Sequence, residues 1–404
     1  MGNFRTKKFG PGLLVTAAFI GPGTITTASI AGANFGFALF WALLFSIVTT
    51  IIFQEMAARL GIVSRQGLAE ALRNTITRPW VKWPILILII CAIGFGNAAY
   101  QTGNILGAAI GGSAITGIPA QGLAIAIALI AAGLLASGTY KIIERVLISL
   151  VFVMGLVFVV AMFIQPPDFK LLASQVIPTG IPDGSMLTII ALIGTTVVPY
   201  NLFLHANAVQ QKWRVTEDPN VSLQEARVDL VLSIGLGGFV TFAIMATAAT
   251  AFYGSGIEVN AVSIATQLEP ILGKSARYFV ATGLFAAGLT SAITAPLAAS
   301  YAVCGALGWP LDLKDFRFRL IWILVIFFGA VFAVAQTKPL TAILIAQAAN
   351  GMLLPIIAIS LLWVMNQSRL LGQFRNSALN NFFAMAVILV TVGLGTQKLL
   401  GLLW

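Results

Sequence analysis

Leu187–Gln210 reads LTIIALIGTTVVPYNLFLHANAVQ, an apolar run long enough to cross a bilayer, interrupted at Gly194-Thr195-Thr196 and Pro199 and carrying the chain's single histidine, His205. In hydrocarbon every backbone donor and acceptor must be satisfied internally. A helix breaker at mid-membrane depth is therefore tolerated only where the freed groups face protein, water or a ligand. A second interrupted run, Gly12–Ile30, GLLVTAAFIGPGTITTASI, has Gly21-Pro22-Gly23 at its centre, followed by the hydroxyls of Thr24, Thr26, Thr27 and Ser29. Paired broken segments at corresponding places in two halves are the sequence pointer to a secondary transporter's substrate site.

The composition around these runs excludes a soluble domain. Charged residues make up 9% of the chain, hydrophobic residues 59%, and mean hydropathy is +0.96. Uncharged runs near the length of a spanning helix fall at about 10–34, 36–58, 84–112, 121–139, 146–165, 186–210, 230–254, 278–305, 320–337, 340–366 and 380–402. The expectation is an all-α polytopic membrane protein of eleven transmembrane helices forming one transporter domain. With Arg5, Lys7 and Lys8 placed in the cytoplasm, 18 of the 23 basic residues share their face, and Lys170, Lys274, Arg277, Lys338 and Lys398 lie opposite. That asymmetry sets the N-terminus inside and, after an odd number of spans, the C-terminus outside. The net charge of +10 thus reports membrane orientation, and no nucleic-acid partner is implied.

Five crossings reverse direction, so a five-span unit repeated once is inverted in the membrane. The breaks match on that count, because the first span then corresponds to the sixth. Repeat one covers about 10–165, repeat two about 186–366, and an extra helix at about 380–402 is appended. Cys91 and Cys304 lie in separate predicted spans and read as small core hydrophobes. Glu55 and Arg59, at i and i+4, read as a structural pair. Residues 68–73, LAEALR, read as a short helix near the inner surface. One histidine and two separated cysteines supply no intramembrane catalytic constellation. The chain is therefore not expected to be an enzyme, and no cofactor is expected.

Several stretches carry a family resemblance: GPGLLVTAAFIGPG at 10–23, QEMAARLGIVSRQGLAE at 54–70, GTTVVPYNLFLHANAVQ at 194–210, AAGLTSAITAPLA at 286–298 and AQAANGMLLPIIAISLL at 346–362. They resemble the Nramp family of metal-ion transporters, in order and over most of the chain. The resemblance implies a LeuT-type 5+5 inverted repeat with helices 1 and 6 broken, and proton-linked uptake of divalent transition metals by alternating access. It also implies an integral protein of a bacterial inner (plasma) membrane. The ligand residues depart from the family's pattern. Family members carry Asp-Pro-Gly-Asn at the first break, where this chain has Gly21-Pro22-Gly23-Thr24, and Met-Pro-His-Asn at the second, where it has Val198-Pro199-Tyr200-Asn201. The acidic stretch of the family's third span is replaced by Ala98-Ala99-Tyr100-Gln101-Thr102-Gly103-Asn104. Both prolines, Asn201, His205 and Gln347 match the family's framework.

A bare divalent ion at the midplane needs ligand charge or a full oxygen shell, because an uncompensated buried charge costs several kcal/mol. All thirteen acidic residues map to loops or their margins, and the missing methionine removes the soft ligand that favours late transition metals. Neutral groups remain. They are carbonyls around Gly21, Gly23 and Thr24 and from Thr195 to Val198, the hydroxyls of Thr24, Thr195 and Tyr200, and the amides of Asn201 and Gln347. These suit a hydrated hard cation such as Mg²⁺, held through its waters. They also suit a small neutral or zwitterionic, amino-acid-like solute whose carboxylate meets a half-helix N-terminus. His205 is the candidate proton relay or gating residue, with protons as a coupling partner. The partners read from the sequence are thus a small solute or cation, protons and the lipid bilayer.

Overall fold

The computed structural model describes residues 10–12, 15–16, 20–137, 141–178, 180–213, 218–256, 259, 261–336 and 338–400, with backbone only at 141–144, 261–262 and 398–400. Every regular element among them is helical. Among the described residues, ten helices are long and apolar enough to cross a membrane. The half-helix Pro22–Phe35 belongs to an eleventh. The second to fifth spans are Phe40–Ser64, Pro79–Thr116, Ala120–Ser137 and Lys141–Ile164. The sixth is split into Met186–Thr196 and Pro199–Lys212. Pro219–Phe252, Ala276–Leu307, Phe316–Ala335, Pro339–Met365 and Ala378–Leu400 are the seventh to eleventh.

Both expected breaks are present, and both second halves begin with proline at their first helical position. Proline has no N–H to offer and a φ already suited to a helix, so it costs nothing at a start and much in an interior. Gly21 caps one half-helix in an extended conformation, and Val197 and Val198 leave helical geometry before the other. Some ends differ from expectation. Asp218 accepts a backbone N–H from Asn220 and starts the seventh span at Pro219, eleven residues before the expected 230. The second span runs on to Ser64, ending at Arg65 with φ 56°. The 68–73 stretch is helical, as Leu68–Thr75.

Packing follows the inverted repeat. The half-helix Pro22–Phe35 lies on the seventh span as Pro199–Lys212 lies on the second. The fifth span lies on the eighth as the tenth lies on the third, and the third and eighth face each other. Lipid supplies no hydrophobic drive between helices, so close contact depends on small residues. Gly32 meets the backbone of Met245 and Ala249, Gly61 that of Ala206, and Gly288 that of Asn104 and Ala108. Within their most apolar windows the sixth span is 94% buried and the fourth and eleventh 28%. The interrupted helix therefore runs through the centre of the bundle, with the fourth and eleventh facing lipid.

Candidate functional site

The two breaks meet. Thr24, in the first turn after Gly21, shares a buried 2.9 Å hydrogen bond between hydroxyls with Thr195, the penultimate residue of the sixth span's first half. Gly23 lies directly against the Gln347 amide, leaving no room for a Cβ. Gly194 lies against the backbone of Gln347 and Gly351 in the tenth span. Asn201 is buried in the first turn of the second half-helix, beside Tyr200. Of the residues singled out from sequence, Gly21, Gly23, Thr24, Thr195, Val198, Tyr200, Asn201 and Gln347 all sit at the two breaks or on the helix packed against them.

The expected carbonyl donors are partly engaged. The Gly21 carbonyl accepts from the N–H groups of Thr24 (3.1 Å) and Ile25 (3.2 Å), and the Val198 carbonyl from Asn201 N–H (3.0 Å). These bonds start the half-helices, so the groups do not stand ready as bare ligands. The side chains differ. Both amide atoms of Asn201, both of Gln347 and the Ser291 hydroxyl are buried without a hydrogen-bond partner. A buried polar atom left unpaired costs about 1–3 kcal/mol. Five such atoms gather around one pair of helix breaks.

Three neighbours add to the set read from sequence. Tyr100 of the third span packs edge-to-face on Tyr200, with ring centroids 5.3 Å apart. Ser291 of the eighth span lies 3.1 Å from where a Gly21 Cβ would stand, and the Tyr100 hydroxyl 3.8 Å from it. Two hydroxyls thus border the place a side chain at position 21 would enter. Asn350, one turn from Gln347, is buried with an unpaired Nδ2. The close-set hydroxyls of Thr290, Ser291 and Thr294 in the middle of the eighth span were the available signal.

His205 is not part of this cluster. It lies buried on the second half-helix, its Nδ1 2.9 Å from Gln54 Oε1 of the second span. This contact ties the sixth span to the second. In the third span, Gln101 donates to the Ala292 carbonyl (3.0 Å) and Asn104 to Gln101 (3.3 Å). Where a proton route would need carboxylates, amides bind helices together.

The acidic residues have work elsewhere. Glu55 pairs with Arg59 (3.1 Å) and Arg227 (2.8 Å), and Glu70 caps Gly67 N–H at 2.8 Å. Glu225 accepts from Trp213, and Asp229 from Gly10 and Gly12. Asp168, Asp218, Asp312 and Asp315 accept backbone N–H groups at helix starts and turns. Asp183 and Glu269 are exposed. Glu217, Glu258 and the Glu144 side chain lie outside the described residues, as do Arg5, Lys7 and Lys8. Among the described residues, no group of three His, Cys, Asp or Glu stands together to hold a metal ion. Cys91 and Cys304 are free thiols.

The family description natural resistance-associated macrophage protein-like matches residues 12–401. The chain belongs to the Nramp family. It is 28% identical over 375 residues to a protein of Verminephrobacter eiseniae named divalent metal cation transporter MntH, covering 91% of this chain and 83% of that one. It is 27% identical over 409 residues to the MntH of Yersinia pestis, covering 99% and 96%. Among solved structures, a manganese transporter of Eremococcus coleocola superposes with a TM-score of 0.80 at 20% identity, over 98% of this chain and 87% of that one. Mhp1, a nucleobase-cation-symport-1 family transporter, superposes at 0.58 and 12%, over 96% and 90%. This Nramp protein is therefore a membrane transporter on the LeuT-type fold, and not an enzyme.

Proposed function

We propose that this Nramp protein is a secondary transporter that moves a divalent cation by alternating access, and that its cargo is a hard ion such as Mg²⁺ carried with part of its water shell. One observation carries the reading. The polar groups at the paired breaks are neutral, comprising the Asn201 and Gln347 amides and the Ser291 hydroxyl, all buried and unpaired. Divalent cation transport is the named activity of its relatives. A shell of neutral donors and acceptors answers the oriented waters of a strongly hydrated ion better than it answers a soft ion stripped of water. The basic loops support a cytoplasmic N-terminus in a bacterial inner membrane. His205, held by Gln54, serves as a gating link between the second and sixth spans, and protons are not required by any group at the centre.

The test is uptake into proteoliposomes together with thermal shift of the purified protein, since a ligand that binds only the folded state raises apparent stability. Mg²⁺ is expected to stabilise the wild type and to enter saturably, with no tight Mn²⁺, Fe²⁺ or Cd²⁺ binding. Asn201→Ala and Gln347→Ala are each expected to impair uptake while leaving folding intact. Stabilisation by amino acids and by no divalent ion would replace the cation with the amino-acid-like solute. Micromolar Mn²⁺ affinity, lost in Tyr200→Ala or Thr24→Ala, would reject the hard-ion assignment. Normal uptake in both amide variants would place the site elsewhere.

A further inference from the structure

Between the fourth span (Ala120–Ser137) and the ninth (Phe316–Ala335) lies an apolar groove of about 480 Å³, lined by no residue of the central cluster. Ala128 and Ile326 are buried at its floor, while Leu129 and Phe327 stand exposed at its rims and open it to the lipid side of the bundle. Along the ninth span Arg319, Trp322, Ile326, Ala330 and Val334 recur every three or four residues, the spacing of one helix face. From Trp322 to Val334 the groove is about 18 Å long at the rise of an α-helix, near the ~15 Å that one leaflet supplies to a hydrocarbon core. One turn before Trp322, Arg319 ends this stripe at the basic face, where a charged side chain keeps its head at the level of the lipid headgroups. Its Nε donates to the Leu313 carbonyl at 2.9 Å, and among the described residues its two terminal amino groups have no partner. The nearby acids are engaged, Asp312 by the N–H of Lys314 and Asp315 by those of Arg317 and Phe318. Arg317 itself lies 5.5 Å over the Trp309 ring.

We propose that this groove binds one phospholipid of the leaflet on the basic face, with an acyl chain lying between the fourth and ninth spans and the phosphate on the Arg319 guanidinium. Apart from the Trp322 indole the lining is aliphatic or phenyl from end to end, so it suits a hydrocarbon chain and offers little to a polar solute. A guanidinium with its terminal N–H groups free meets two oxygens of a phosphate at once. A phospholipid joins chain to phosphate, and the ninth span presents groove and arginine on one face in the same order. Size argues against a partner helix, since a helix 10–12 Å across would fill about 1,400 Å³ or more over the same length. The headgroup preferred is anionic, because Lys314, Arg317 and Arg319 outnumber Asp312 and Asp315 at this end of the span.

The experiment uses the purified full chain in detergent, read by native mass spectrometry for bound lipid and for oligomeric state. Phosphatidylglycerol, phosphatidylcholine and glycerol phosphate are added in turn. The wild type is expected to hold one phosphatidylglycerol, to bind phosphatidylcholine more weakly and to bind glycerol phosphate not at all. Arg319→Gln is expected to weaken phosphatidylglycerol binding about tenfold, the scale of one lost charge-assisted contact. Arg319→Lys keeps the charge and should keep most of the binding. Ala330→Phe fills the groove from the ninth span and Ala132→Phe from the fourth, and each should abolish binding of both lipids. Two controls should bind as the wild type does: Arg78→Gln, exposed on the basic face, and Ala126→Phe, exposed on the fourth span outside the groove. Unchanged phosphatidylglycerol binding in Arg319→Gln, or in both groove-filling variants, overturns the proposal, as does tight binding of glycerol phosphate alone. A wild-type dimer that Ala330→Phe dissociates also overturns it, and gives the groove to a second copy of the chain.

Discussion

Gly21 has φ −106° and ψ −176°, extended backbone that any L-residue adopts, so its neighbours decide what can replace it. The nearest is the Ser291 hydroxyl, 3.1 Å from a Cβ placed there, and a hydroxyl can rotate away. Gly21→Asp, Thr24→Asn and Val198→Met together are therefore expected to create Mn²⁺ or Cd²⁺ binding measurable by calorimetry in a protein that otherwise lacks it. Asp supplies charge, Met softness, and the two proline-led half-helices stay where they are. Thr24→Asn gives up the Thr24–Thr195 bond, worth about 1 kcal/mol net, which a stable fold absorbs. A folded triple variant that binds neither ion would mean that the tyrosine pair has changed the shape of the site as well as its ligands. Asn201 was legible in sequence because it sits beside a breaker, and Gln347 because its stretch resembles the family's tenth span. Tyr100, Ser291 and Asn350 were not legible, because their roles depend on how three unbroken helices rotate to face the breaks, and the polar residues spread along those helices do not mark which side does.

At the scale of elements, the breaks were readable because proline and glycine act through the backbone, which sequence reports directly. Helix ends were less so. Asp218 and Asp315 start their helices by capping N–H groups, and a cap extends a helix past the apolar run that hydropathy detects. Close helix contact gives a sharper test. Gly194 has the tenth span's backbone at the position of its missing Cβ, whereas Gly133, in the fourth span, has nothing within 4 Å. Gly194→Ala is expected to destabilise the protein by about 1–3 kcal/mol, the usual range for an overpacked core, and to disturb the Thr24–Thr195 contact next door. Gly133→Ala should be neutral or stabilising by up to about 1 kcal/mol, since alanine is the better helix former. Thermal unfolding of both in detergent compares them, and equal midpoints would show that the sixth and tenth spans can separate without loss.

For the whole molecule, the alternating access proposed above opens the bundle on each side in turn, and two sets of hydrogen bonds cross between helices near its two faces. Away from the basic face, Gln267 donates to Ser29 and accepts from Thr247, each at 3.2 Å, joining the loop before the eighth span to the first and seventh. At the basic face, Asp229 of the seventh span accepts the N–H groups of Gly10 (3.1 Å) and Gly12 (2.8 Å), beside Lys212 at the end of the sixth. The second fastening carries the larger free energy, because a carboxylate accepting backbone N–H groups forms charge-assisted bonds of about 1.5–3 kcal/mol each. Removing them should therefore shift the balance toward the state open at the basic face by at least about tenfold. Asp229→Ala is expected to speed hydrogen exchange, read by mass spectrometry, around Gly10 and Gly12 and in 199–212, the segments that end beside Asp229. Exchange in 261–272 should not change. Asp312→Ala, which loses only the N–H of Lys314 in a surface turn, is the control for loss of a carboxylate on the same face. If Asp229→Ala exchanges like the wild type in all three segments, the Gly10 and Gly12 amides have found other acceptors. The face is then held by the stitching of Arg65 to the Gln210 and Trp213 carbonyls at 2.7 and 2.6 Å, and Arg65→Ala becomes the variant that opens it.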